Sequence, residues 1–317
     1  MSARIDVHQH LIPPTWRHAL AARGDVGWPM PRWSPQQAVD LMDAHGIAAG
    51  VVSVTAPGVV LNPVPVTGPN PAARDLARSV NDYSAALVAD RPDRFGFFAS
   101  LPLPDVDGAL AEARRAFDEL HADGVVLLSN VGDRYLGDPD YDALWAELDR
   151  REAVVFVHPA QPSLSALAGT PAPMADFVFD TTRTALNMVL HGIPRRYPRA
   201  KVILTHGGGF VPYAAHRFAA LAPYQAAGSP RPEQVLADLR WFYFDSAMSA
   251  SPTSLPSLLA FAQPGHVLYG SDWPFAPAEV GAYFDHFLDT ELPEITRAQI
   301  DRGAAERLFP RLAGVRG

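Results

Sequence analysis

Cysteine is absent from the chain, which removes disulfides, thiolate metal ligands, iron–sulfur clusters and a cysteine nucleophile together. Only one of the 26 basic residues, Lys201, is a lysine, so amine chemistry has a single address. Any metal must then sit on histidine, aspartate or glutamate. Five residues of that kind stand out. His8 and His10 are two apart in VHQH, a spacing that turns both side chains to one face of an extended strand. His158 lies in VFVHP, His206 in LTHGGG and Asp272 in YGSDWPF.

These residues matter only if the fold brings them together. Short β-rich runs recur at 4–10, 48–56, 94–102, 124–130, 153–159, 201–207, 241–247 and 266–272, separated by helical patterns. Eight βα units close a (β/α)8 TIM barrel, and 317 residues suit one such domain spanning 1–317 with loop insertions near 57–71 and 160–176. Ser34 and Pro35 signal one helix start, and Asp138 and Pro139 another. Leu110, Ala113, Phe117 and Leu120 outline the apolar face of a further helix. In such a barrel the active site is built at the C-terminal ends of the strands. His8 and His10 end the first strand, His158 the fifth, His206 the sixth and Asp272 the eighth. One rim therefore collects all five, while the other seven histidines fall in helices, in loops or, for His266, at the opposite rim.

Nitrogen and carboxylate donors without sulfur suit Zn²⁺ best, with Mn²⁺ or Fe²⁺ behind it. His8, His10, His158 and Asp272 are the expected ligands. His206 is expected beside the open position as an acid or base, since a neutral imidazole can both take and give a proton. Lys201 opens its strand at the far rim, so Schiff-base chemistry has no amine. The fourth strand ends in Ser129 and Asn130, which leaves no lysine to bridge two metals. One metal per chain is expected.

The set VHQH, VFVHP, LTHGGG and YGSDWPF, in that order over nearly the whole chain, resembles the amidohydrolase-2 group of the amidohydrolase superfamily. Within that group it is most similar to the metal-dependent non-oxidative decarboxylases. The resemblance implies that His8, His10, His158 and Asp272 hold the metal and that His206 works on substrate or water. It also implicates Arg217, eleven residues after His206. That residue matches an arginine which, in the branch acting on aminocarboxymuconate semialdehyde, reaches a substrate carboxylate across a homodimer interface. A second carboxylate-binding arginine of that branch falls on Ala38 here, so a monocarboxylate of the salicylate type is the better expectation. Trp16, Trp28, Trp33, Trp273 and Phe275 are the aromatics available to line a ring-shaped pocket.

Lys+Arg of 26 against Asp+Glu of 34 leaves a net charge of −8, which disfavours nucleic-acid binding by phosphate neutralisation. The apolar runs are short and broken, so a membrane span is not expected and a cytoplasmic location is. The leading expectation is decarboxylation of an aromatic ortho-hydroxy acid, with Asp272 or His206 protonating the ring carbon. The alternative is hydrolysis of a lactone, ester or amide by a metal-activated water on the same ligands. A barrel that has lost catalysis and only binds ligand is the third reading.

Overall fold

The structure is a computed structural model that describes residues 3–24, 29–61, 68–132, 134–162, 169–225 and 228–315. Trp28, the middle of the 57–71 insertion (62–67) and part of the 160–176 insertion (163–168) lie outside the described residues.

Eight parallel strands form the barrel wall in the order β1 (Arg4–His10), β2 (Ile47–Ser53), β3 (Phe95–Ser100), β4 (Gly124–Leu128), β7 (Val154–His158), β8 (Lys201–Leu204), β9 (Tyr243–Asp245) and β10 (Val267–Leu268). A small antiparallel hairpin, β5 (Asn130–Val131) and β6 (Arg134–Tyr135), leaves the wall after β4. Helices fill the crossovers: α1 (Pro14–Arg23) and α2 (Pro35–Ala44) before β2, α3 (Pro71–Asp90) before β3, α4 (Val106–Asp118) before β4 and α5 (Asp142–Arg150) before β7. Then come α6 (Asp176–Leu190) and α7 (Ile193–Arg196) before β8, α8 (Val211–Leu221) and α9 (Pro232–Leu239) before β9, and α10 (Ser254–Phe261) before β10. The chain ends on α11 (Ala278–Glu291), α12 (Glu294–Ala298), a π-turn at Gln299–Gly303 and α13 (Ala304–Leu308). None of the described helices is long and apolar enough to cross a membrane.

All eight expected strands are present; β1 matches its sequence run, and the other seven stop short of theirs at the C-terminal end. The difference is physical: beyond Leu204 and Leu268 the chain leaves the ladder to form the rim. Two apolar layers result, one between wall and helices and one inside the barrel. The inner layer includes Ile5, Val7, Val51, Phe98, Val126, Phe156, Ile203 and Leu268, and Leu308 and Phe309 plug its lower end. A shift in the β1–β2 register between Asp6 and Gln9 changes which residues of β1 face inward. Ile5 and Val7 point into the core below it, His8 and His10 into the rim above it.

The helix ends follow their signals. The Ser34 side chain accepts from the Gln37 N–H at 3.2 Å. Asp138 caps a single 3₁₀ turn, Pro139–Tyr141, that runs into α5. The face of α4 differs from expectation: Ala109, Ala113 and Ala116 are the fully buried residues, while Leu110, Phe117 and Leu120 pack half-buried at their margin. Alanines let the helix axis approach its neighbours closely, which moves the large side chains to the flanks.

The barrel closes through the segment after β10. The Val7 N–H donates to the Tyr269 carbonyl at 3.0 Å, Asp272 N–H to His8 carbonyl at 2.7 Å and His10 N–H to Trp273 carbonyl at 2.8 Å. Gly270 is required there, because a Cβ at that position would lie 2.7 Å from the His8 Cβ. Beneath this seam buried Asp6 accepts from the Ser271 hydroxyl at 2.6 Å, the Ser271 N–H at 3.0 Å and the His8 N–H at 3.0 Å. Burial pushes the Asp6 carboxyl up to about 6 against these donors. Arg4 at the lower rim ties β1 to Asp285, Asp289 and Asp301 at 2.7–3.0 Å.

Candidate metal centre

His8, His10, His158 and Asp272 converge so that one ligand atom from each lies within 4.8 Å of every other. All four are buried. His10 Nε2 is 2.9 Å and His8 Nε2 3.2 Å from Asp272 Oδ1, and the two imidazole Nε2 atoms are 3.2 Å apart. Two ring nitrogens and a carboxylate oxygen at such separations form a cage for positive charge. Three imidazoles and one carboxylate can hold a metal ion, and the donor chemistry fits a divalent one.

Each imidazole is oriented from behind. His8 Nδ1 donates to Asp245 Oδ2 at 2.8 Å, His10 Nδ1 to the Ser53 carbonyl at 3.1 Å and His158 Nδ1 to the Pro159 carbonyl at 2.8 Å. In every case Nε2 is turned to the centre, the arrangement in which a backing acceptor fixes the tautomer of a ligating histidine. Asp245 does more than this. Its Oδ1 accepts the His206 N–H at 2.9 Å and the Ala247 N–H at 3.0 Å, so one carboxylate fixes both the ring of His8 and the backbone of His206.

The electrostatics are those of a charge trap. Burial alone would keep His8 neutral, but Asp245 and Asp272 outweigh it and push its pKa up to about 10. Burial holds His10 below the ordinary histidine range against the pull of Asp272. His158 is held well below that range, by burial first and then by His10 and His8. Asp272 stays well below the carboxylate range because His8, His10 and His206 overcome its burial.

His206 stands just past the end of β8 in a turn, with Nε2 3.2 Å from Asp272 Oδ2. Its Nδ1 is buried and has no hydrogen-bond partner among the described residues. Gly207, Gly208 and Gly209 follow, each at positive φ. A Cβ on Gly209 would lie 2.2 Å from the Val178 carbonyl oxygen, so the run lets the turn press against α6.

A cavity of about 440 Å³ opens onto the cluster, lined by His158 and Asp272 together with Thr55, Phe177, Met248, Phe275, Val280 and several prolines, among them Pro29, Pro31 and Pro173. Among these described residues there is no lysine or arginine. Phe275 meets the His10 ring edge-on at 5.4 Å. Trp16 is fully buried in the outer core, its indole N–H on the Gly58 carbonyl at 2.8 Å, and does not line the cavity. Trp33 and Trp273 pack half-buried against the same core. Arg217 is exposed on α8 and is not among the residues lining its own chain's cavity. Lys201 lies at the lower end of β8, within 3.5 Å of the Glu152 carboxylate. Ser129 and Asn130 both donate to Asp180, where a bridging lysine would otherwise stand. Asp245 and Thr55 escaped the sequence reading, although both lie at the rim that reading identified.

A parallel eight-stranded barrel with a His₃Asp cluster at its C-terminal rim defines a barrel of the metal-dependent type. The chain belongs to the amidohydrolase family, whose model, described as "Amidohydrolase", matches residues 5–311. It is 43% identical over 326 residues to a 6-methylsalicylic acid decarboxylase of Penicillium expansum, covering 99% of this chain and 98% of the relative. It is 31% identical over 289 residues to a gamma-resorcylate decarboxylase of Rhizobium sp., covering 85% of each. A solved structure described as an amidohydrolase II superposes with a TM-score of 0.88 at 32% identity, covering 97% of this chain and 99% of that one.

Proposed function

We propose that the chain is one catalytic barrel domain that removes CO₂, without oxidation, from a salicylate-type aromatic acid. The observation that carries this reading is the pairing of a His₃Asp cluster with a largely apolar cavity that has no cation among its described lining residues. The walls suit a hydrocarbon ring, and among the described lining residues of the chain itself a carboxylate finds compensation at the cluster alone. A dicarboxylate would leave one charge unpaired in an apolar space. The relatives named above act, by their names, on acids whose carboxyl group stands beside a ring hydroxyl, which favours decarboxylation over hydrolysis.

His8, His10, His158 and Asp272 would hold one Zn²⁺ or Mn²⁺. When bound, the ion would supply a Lewis acid for the substrate's carboxylate. Phe275 packs against the ring and fixes its plane. Asp272 and His206, 3.2 Å apart, share the proton. From this pair it is delivered to the ring carbon that bears the carboxylate; the carbon–carbon bond then breaks, its electron pair restores the aromatic ring, and CO₂ leaves. The balance is ArCOO⁻ + H⁺ → ArH + CO₂, and the pair regains its proton from solvent. Arg217 shares one face of α8 with Tyr213 and Leu221, spaced four residues apart and all exposed. That stripe fits a homodimer in which Arg217 reaches the partner's cavity.

The test is turnover of 6-methylsalicylate and 2,6-dihydroxybenzoate by metal-loaded protein in D₂O. Release of CO₂ with one deuterium on the vacated ring carbon is expected. Absence of CO₂, together with ¹⁸O from labelled water entering the product of an ester or lactone, would overturn the reading in favour of hydrolysis.

A further inference from the structure

Among the described residues that line the cavity, one side-chain hydrogen-bond donor stands outside the His–Asp cluster: the hydroxyl of Thr55. Thr55 lies two residues past β2 and is 3% exposed. Its Oγ1 is 3.2 Å from His158 Nε2. The Pro159 carbonyl can only accept, so the proton of the neutral His158 ring is on Nδ1 and a lone pair is on Nε2. Oγ1 is also 3.5 Å from Nδ1, so the hydroxyl lies against the ring beside both nitrogens and off the axis of that lone pair, which stays free for a metal ion. The hydroxyl proton therefore has no in-line acceptor on His158. No other side chain or backbone group among the described residues accepts from it, and a buried donor left unpaired is costly.

The substrate supplies the missing acceptor. Its carboxylate carries full charge in a cavity to which its own chain brings no lysine or arginine among the described lining residues, so it belongs against the metal, with the partner's Arg217 as its further contact in the proposed homodimer. The ortho oxygen is then the substrate's remaining acceptor, and Thr55 the remaining donor. We propose that Thr55 is a substrate-positioning residue whose hydroxyl donates to the ortho oxygen of the acid and so discriminates 2-hydroxybenzoates from benzoates that lack that oxygen. The assignment rests on the decarboxylase reading for the substrate class. A site built around such a donor rejects a ligand without the matching group more strongly than an apolar pocket rejects a methyl group.

The experiment compares Thr55→Val, which keeps the shape and removes the hydroxyl, with Thr55→Ser, which keeps the hydroxyl. Binding of 2-hydroxybenzoate and of benzoate is measured by calorimetry in a His206→Ala background, where turnover is suppressed, and metal content by elemental analysis. Thr55→Val should retain its metal and its benzoate affinity yet bind 2-hydroxybenzoate at least tenfold more weakly, and Thr55→Ser should recover most of that loss. Equal weakening of both ligands, loss of metal, or no change in either would overturn the assignment. The decarboxylase reading is judged separately by CO₂ release from the parent protein. Release without Thr55-dependent discrimination sinks this proposal alone, and discrimination without release sinks the reaction while leaving the contact.

Discussion

His206 and Asp272 both hold left-handed backbone, with φ of 54° and 61°, a region that residues other than glycine rarely occupy. Such strain survives only where the surroundings over-determine it and clusters at working sites. Here Asp245 holds the His206 N–H and the barrel seam holds the Asp272 N–H. The two residues are thus fixed before any ligand arrives, but they differ from the ligating histidines in what their loss should do. His8→Ala should lower metal occupancy and activity together, because it removes a direct ligand. His206→Ala should keep most of the metal and lose on the order of 10² to 10⁴ in turnover, the contribution of a positioned acid or base. Elemental analysis beside steady-state rates separates the two cases, and equal metal loss in both would make His206 a ligand. The four cluster residues were legible in the sequence because strand ends and ligand types coincide. Asp245 shares both marks and was not singled out, because its work is to accept from His8 Nδ1 and the His206 N–H, contacts that only the folded chain displays. Trp16 looked like a ring contact on composition and is instead core, because an aromatic shows its burial only in three dimensions.

At the scale of elements, one buried carboxylate organises two helix starts. Asp105 caps α4 by accepting the Gly108 N–H at 2.9 Å and reaches the Asn70 N–H at 2.8 Å, while Asn70 in turn caps α3 through the Ala73 N–H at 3.2 Å. Arg74 donates to both of its oxygens. Those donors, Arg74 foremost, pull the Asp105 pKa down to about 2. A depressed carboxylate pKa stabilises the fold above the unfolded value near 4 and ceases to as pH falls through about 2. Asp105→Ala should therefore cost about 2 kcal/mol at neutral pH from the lost cap and charged hydrogen bonds. The gap between variant and parent should narrow between pH 4 and pH 2. Urea melts across that range would show it, and a gap independent of pH would assign the loss to packing. The helix starts at Ser34 and Asp138 could be read directly because a cap is a local device. The buried face of α4 could not, since it depends on how near its neighbours come.

For the whole molecule, the eight strands and the closed barrel were readable from the alternation of runs, whereas the manner of closure was not, because the last side of the barrel is an irregular stretch, 269–273, bonded to β1. The proposed homodimer is tested at Arg217. Arg217→Ala should leave metal content intact and lower kcat/KM on the order of 10²-fold toward acid substrates. Arg217→Ala chains mixed with His206→Ala chains should regain activity if the contact crosses subunits, and failure to regain it would confine Arg217 to its own chain. The seam has a consequence for how the protein is made. His8 and His10 are translated some 260 residues before Asp272, which lies on the other side of the same seam. A ribosome-bound chain therefore carries an incomplete ligand set for as long as the intervening stretch is being made. Loading with metal can follow only when the last side of the barrel has emerged, so a nascent or truncated product has no complete centre with which to compete for the cell's free metal.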